Sequence, residues 1–365
     1  MTPNGQKREI PDSLNCSSIQ LTMVSPSAKV ELPIAVSQGF MRILALALAL
    51  IFPGPLRAES AVVSLADGRD GSILFASSTP TGLNAYLSAR KQPEALVSGI
   101  LRLPTGAEPV PAIVLSHSAG GVSRDRDLAW AERFTSSGMA AFVVDSFTSR
   151  GVKGFDNQPS FVASIADVYA ALRLLATHPR VDPARVALMG FSRGGLVALT
   201  AALEPIRRVG APEGRRFAAH VALYPGCNTR YLAQKITGAP MLMLLGGADD
   251  QAPPEPCQRY GDWFRNMGAE IKIVTYPGAP HLFDGTSPLR FIAEAETGGS
   301  CETEYDIETR VLRRTDSGAV LAGEEIGAYF KTCSSRGVHV GGDSDARAGA
   351  EREIATFFKN TLRLR

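Results

Sequence analysis

Val186-Ala187-Leu188-Met189-Gly190-Phe191-Ser192-Arg193-Gly194-Gly195-Leu196-Val197-Ala198-Leu199-Thr200-Ala201-Ala202-Leu203 is the stretch that decides the fold. A short apolar run of buried-strand type enters Gly-Phe-Ser-Arg-Gly, and a helix-like apolar pattern leaves it. A strand that turns this sharply into a helix needs small neighbours on both sides of the turning residue, and it leaves that residue exposed above the sheet edge. Ser192 is therefore read as a nucleophile at a strand-to-helix elbow. The plainer alternative is an ordinary tight turn with close packing.

A serine hydroxyl is a weak nucleophile at neutral pH, so it needs a base within hydrogen-bond reach and a carboxylate to orient that base. In folds of this kind the three follow in the order Ser, acid, His, each beyond the C-terminal end of a strand. Met241-Leu242-Met243-Leu244-Leu245 ends in Gly246-Gly247-Ala248-Asp249-Asp250, and Asp249 is preferred as the acid because the glycine pair and Pro253 frame it. Asp250 is the alternative. Ile271-Lys272-Ile273-Val274-Thr275-Tyr276 ends in Pro277-Gly278-Ala279-Pro280-His281, which makes His281 the base. Of the other histidines, His178 precedes Pro179 near a helix end, His220 lies inside a strand-like run and His339 lies near the last helix. His117, at the start of a loop, reads as a structural donor to a neighbouring strand.

Acyl transfer also needs two N–H donors for the oxyanion. Arg193, the residue after the nucleophile, supplies one at the start of a helix, where the helix dipole assists. The second is expected in Ser116-His117-Ser118-Ala119-Gly120-Gly121, after the strand Ala112–Leu115, and is assigned to Ala119 with Ser118 as the alternative. Arg150 and Arg193 are the candidate substrate-binding side chains, since a guanidinium near the oxyanion hole could hold a carboxylate. The competing reading is that each ties loops together through Asp145 or another local acid.

Val143-Val144-Asp145-Ser146-Phe147-Thr148-Ser149-Arg150-Gly151, the elbow with Gly195, the Asp249 loop and Tyr276-Pro277-Gly278-Ala279-Pro280-His281-Leu282-Phe283-Asp284 together resemble the dienelactone hydrolase family of the α/β-hydrolase superfamily. The resemblance runs from about Glu94 to Asp284. It implies a mostly parallel central sheet with helices on both faces and hydrolysis of a small-molecule ester without a cofactor. Where the founding enzymes of that family carry cysteine, this chain has Ser192, which favours a general serine esterase. Rival activities on the same three residues are a peptidase of the prolyl oligopeptidase type and an acyltransferase. A rival of another class is a binding protein that kept the scaffold.

Short apolar strands alternating with helical patterns independently imply a parallel sheet covered on both faces. Strands are expected at Ser72–Phe75, Leu96–Leu103, Ala112–Leu115, Ala140–Val144, Val186–Met189, near Val221, near Met241 and at Ile271. Helices are expected at Asp127–Ser137, at Glu255–Met267, at Ala348–Leu362 and, with an amphipathic pattern, at Phe161–Ala176. Residues 291–340 interrupt the rhythm as an insert. Within it Glu304–Arg314 and Ala319–Phe330, joined by a turn at 315–318, would form a hairpin or a small cap clamped by the Cys301 pair, either overhanging the site or serving as a structural insert far from the substrate.

Met41-Arg42, the apolar run Ile43–Phe52 and Leu56-Arg57-Ala58 have the three parts of a secretory signal peptide, with cleavage after Ala58. A membrane-spanning helix needs ~20 residues, so an uncleaved anchor is the lesser reading and no stable membrane anchor is expected after cleavage. Residues 1–40 are polar and aperiodic and are expected to be disordered, with Met41 read as the true start. Residues 59–365 are read as a single domain, periplasmic or secreted. Cys227, Cys257, Cys301 and Cys333 suit an oxidising compartment. Cys227 and Cys257 follow strands read as parallel neighbours, whose C-terminal ends come together, so they are paired, which leaves Cys301 with Cys333. None of the spacings resembles a zinc site, and no metal is implied. A chain of 365 residues that is 45% hydrophobic, with net charge +2, offers no basic stripe for nucleic acid.

Overall fold

The computed structural model describes residues 60–88, 90–153 and 158–364. The expected signal peptide at 41–58 and the segment at 1–40 lie outside the described residues. The strands are β1 Gly71–Ser78, β2 Glu94–Arg102, β3 Val110–Ser116, β4 Ala140–Asp145, β5 Val181–Phe191, β6 His220–Leu223, β7 Thr229–Leu232, β8 Met241–Gly246, β9 Ile271–Tyr276, β10 Arg290–Thr297, β11 Thr303–Asp306, β12 Val311–Arg314, β13 Val320–Leu321 and β14 Ser335–Val340. The helices are α1 Leu83–Tyr86, α2 Ala129–Ser136, α3 Phe161–Leu175, α4 Arg193–Thr200, α5 Glu204–Gly210, α6 Pro254–Asn266, α7 Glu324–Cys333 and α8 Ser344–Thr361.

Eight strands form the central sheet in the order β1-β2-β4-β3-β5-β6-β8-β9. The pairs β1/β2 and β2/β4 are antiparallel, and from β4 onward every neighbour is parallel. Side chains alternate across a strand, so each central strand feeds two cores. Val114, Phe142, Leu188 and Met243 point to one face with α3, α4 and α6, whereas Leu115, Val143, Met189 and Leu244 point to the other with α2 and α8. Full burial of each such side chain is worth ~1.5–3 kcal/mol relative to exposure. Wrapping on both faces explains why β8 carries no polar residue. The architecture is the α/β-hydrolase fold.

Two departures from the sequence reading have clear physical reasons. Helix α3 was expected to be amphipathic, but thirteen of its fifteen residues are buried. It packs on β1, β3, β4 and β5 along one side and on α4 and α5 along the other, so Arg173 is its one exposed residue. The chain ahead of α2 opens as a wide π turn at Arg124–Leu128 and becomes α-helical only at Ala129. There the Asp127 carboxylate turns back to accept the Ser123 N–H at 2.8 Å.

The insert is richer than a hairpin. Strand β11 pairs antiparallel with β12 and β12 with β13, as the turn at 315–318 implies, but β11 also pairs in parallel with β7. Residues 324–333 form α7, and β10 pairs with β14 as a separate ribbon. Disulfides join Cys227 to Cys257 and Cys301 to Cys333. Among the described residues no helix is long and apolar enough to cross a membrane.

Candidate active site

Strand β5 runs two residues past its expected end and hands the chain to Ser192 at φ 52° and ψ −111°, a left-handed conformation that costs a non-glycine residue energy. The turn closes only because its neighbours lack side chains. A Cβ on Gly190 would lie 1.9 Å from the Gly194 carbonyl oxygen, and one on Gly194 would lie 2.0 Å from that of Ser116. Ser192 N–H donates to Leu223 O at 2.9 Å, which ties the elbow to the end of β6.

The loops after β8 and β9 bring two more side chains to this point. His281 Nε2 lies 3.0 Å from Ser192 Oγ, and His281 Nδ1 lies 2.7 Å from Asp249 Oδ2. The second oxygen of Asp249 accepts the N–H groups of Gln251 at 3.0 Å and Ala252 at 2.7 Å, so its carboxylate is held on both sides. Asp249 and His281 are both buried. The adjacent Asp250 points elsewhere. It accepts the backbone N–H of His339 at 2.8 Å and faces His339 Nδ1 at 2.7 Å.

The loop after β3 is braced from inside. His117 Nδ1 donates to Ser118 O at 2.6 Å, and His117 Nε2 accepts the Ser146 N–H at 3.1 Å. That fixes a neutral tautomer, and burial holds its pKa below the ordinary histidine value. Toward the neighbouring strand end His117 is thus an acceptor, the reverse of the expected donor. Gly121 N–H closes the loop on Ser118 O at 3.1 Å, whereas no acceptor among the described residues engages the Ala119 N–H. The segment between β4 and α3 reaches both residues assigned to the oxyanion. Gln158 Nε2 donates to Ala119 O at 2.7 Å, and Pro159 O accepts Arg193 Nη2 at 2.7 Å.

The two arginines part company. Arg150 donates to both oxygens of Asp167, to Ser146 O, to Ser78 O and to Thr79 Oγ1, which occupies all five of its N–H groups. The expected substrate contact is therefore corrected to a structural role, and the partner acid is Asp167 rather than Asp145. Arg193 has no carboxylate within ion-pair distance among the described residues; it lies over the Phe147 ring at 5.5 Å, and burial lowers its pKa to about 10.

Beneath His281 lies a cluster that the sequence reading did not single out. The Tyr224 ring meets the His281 imidazole in a T-shaped contact with centroids 4.8 Å apart. Tyr224 OH and Trp130 Nε1 both donate to the buried carboxylate of Asp284, the latter at 2.8 Å. The available signal was Asp284 itself, an acid three residues past His281 in an otherwise apolar stretch.

Comparison with known proteins places this geometry in context. The sequence model of the dienelactone hydrolase family matches residues 97–297. The chain is 35% identical over 99 residues to the quorum-quenching protein AidA of Acinetobacter baumannii, a match covering 27% of this chain and 33% of that protein. It therefore spans about a third of that relative's length. It is 26% identical over 220 residues to a protein of Methylorubrum extorquens named as a carboxymethylenebutenolidase, covering 56% of this chain and 74% of that one. Among solved structures, a thermophilic esterase of Thermogutta terrifontis with propionate bound superposes with a TM-score of 0.43 at 20% identity, covering 52% of this chain and 81% of the esterase.

Proposed function

The chain belongs to the dienelactone hydrolase family, and we propose that it is a carboxylic ester hydrolase that works as an exported serine esterase with Ser192, His281 and Asp249 as its catalytic residues. The observation that carries this reading is the unbroken hydrogen-bonded series from Ser192 Oγ through the imidazole to Asp249, at 3.0 and 2.7 Å. In the proposed cycle His281, oriented by Asp249, takes the Ser192 proton as Oγ attacks the ester carbonyl. The N–H groups of Arg193 and Ala119 receive the developing negative oxygen. The protonated imidazole then gives its proton to the leaving alcohol, and water, activated by the same imidazole, releases the acid and restores Ser192. The guanidinium of Arg193, without an acidic partner, is left by this reading to meet an anionic substituent on the substrate.

Export rests on the signal-like segment 41–58, and the two disulfides agree with an oxidising compartment. The chain from residue 59 onward would act as one catalytic domain, with the insert joined to it through β7. The test is fluorophosphonate labelling together with hydrolysis of short p-nitrophenyl esters, in the parent and in Ser192→Ala. Losing a triad member costs roughly 10⁴- to 10⁶-fold in kcat, so both signals should vanish in the variant. Labelling that survives the substitution, or a folded parent with neither signal, would reject the assignment.

A further inference from the structure

We propose that Asp284 is a positioning residue for the base, holding the His281 imidazole in place through the ring of Tyr224. The inference rests on the Ser192–His281–Asp249 reading given above. An imidazole hydrogen-bonded at Nδ1 and Nε2 can still swing about its Cβ–Cγ bond, and that swing carries both nitrogens off their partners at once. The T-shaped contact with Tyr224 opposes it from the side, and Phe283, 5.3 Å from the Tyr224 centroid, backs the same ring. What keeps Tyr224 there is its hydroxyl, donated to Asp284 Oδ1, while Trp130 Nε1 holds Oδ2 at 2.8 Å.

Stability alone does not account for this arrangement. Tyr224 is wholly buried and Asp284 is 3% exposed. Within the same enclosure Arg126 stands near two carboxylates, Asp127 and Asp284. Removing such charges from water costs several kcal/mol per ion, and well-packed apolar residues often serve the interior as well or better. Backbone strain converges on the same place. Five non-glycine residues among those described have positive φ, and three of them, Ser192, Tyr224 at 36° and Leu282 at 65°, are the nucleophile, the ring against the base and the residue after the base. Strain persists where the surroundings over-determine a conformation, and here it borders the reacting groups.

The experiment compares the parent with Asp284→Asn, Tyr224→Phe and the double variant, reading kcat and KM on a p-nitrophenyl ester, the fluorophosphonate labelling rate and the melting temperature. Asparagine keeps the shape of Asp284 but can accept only one of the two donors. Each single variant should lose at least about fivefold in kcat and in labelling rate with KM nearly unchanged, and the double should be no worse than the poorer single, because both act through one ring. A folded variant that loses less than about fivefold, or single effects that multiply in the double, would overturn the proposal whatever happens to the melting temperature. Should Asp284→Asn fail to fold, Tyr224→Phe, which conserves the ring, decides alone. Failure of the underlying triad reading is separately visible as parent activity that survives Ser192→Ala.

Discussion

Ser192 holds a conformation that its own side chain disfavours, and the cost, of order 1–3 kcal/mol, is met by contacts its neighbours make. The absence of Cβ atoms at Gly190 and Gly194 lets β5, α4 and the end of β3 approach closely enough to hold it. Another buried polar group, His220 at the start of β6, makes a prediction at this scale. Burial drives its pKa down from the ordinary 6.5 to about 4. The unfolded chain therefore binds more protons than the folded one between those values, so the neutral form's contribution is fully present above pH 6.5 and is lost as pH falls toward 4. The loss is about 3 kcal/mol. Urea melts from pH 7 to pH 4 should show that decline, and His220→Leu should flatten it. An equal decline in the variant would assign the acid sensitivity to other groups.

Strand β14 shows how an element distant in sequence can brace the site. Its last residues and the one that follows reach the loops that carry Asp249 and His281: His339 grips Asp250, beside Asp249, while Val340 bridges His281 and Gly341 N–H, just past the strand, donates to His281 O at 3.0 Å. One strand thus touches both of these loops. The side-chain part of this clasp is half-exposed, and such pairs are worth ~0–1 kcal/mol. His339→Ala should therefore lower kcat by only about two- to fivefold, and His339→Asn, which restores a donor near Nδ1, should recover most of it. Steady-state kinetics with both variants checks this, and an alanine variant as active as the parent would detach the clasp from catalysis. Strands β3, β5, β8 and β9 were legible as apolar runs ending in turn residues. The four residues of β7 were not, because a short partly polar strand acquires its state from the partner it pairs with, here β11.

At the scale of the whole molecule, the two disulfides join segments that the sheet alone leaves independent. Cys227–Cys257 links the loop after β6 to α6, across a separation of 30 residues, and Cys301–Cys333 closes most of the insert across 32. By the chain-entropy model each contributes roughly 3–4 kcal/mol. Calorimetry on Cys227→Ala/Cys257→Ala and on Cys301→Ala/Cys333→Ala should show a lowered melting temperature in each. The second pair should in addition lose activity below that temperature, since Cys333 ends just before β14. Equal specific activity for that variant and the parent at low temperature would mean that β14 holds its place without the bond.

Local chemistry carries far in this chain. The elbow, the order of serine, acid and base, and the alternation of strands with helices are short-range patterns, and short-range sterics and periodicity govern them. The choice between Asp249 and Asp250 was not local, because two adjacent carboxylates after one strand differ only in what stands opposite each of them. Folding set His281 opposite the first and His339 opposite the second. The same holds for Arg150, whose five donors are taken up by the last residue of β1 and the one after it, by α3 and by the loop it sits in. It holds too for Asp284, whose partners Trp130 and Tyr224 lie 154 and 60 residues away. A side chain's type is written in the sequence, but a buried polar group takes its role from the partner that satisfies it, and only the tertiary structure supplies that partner.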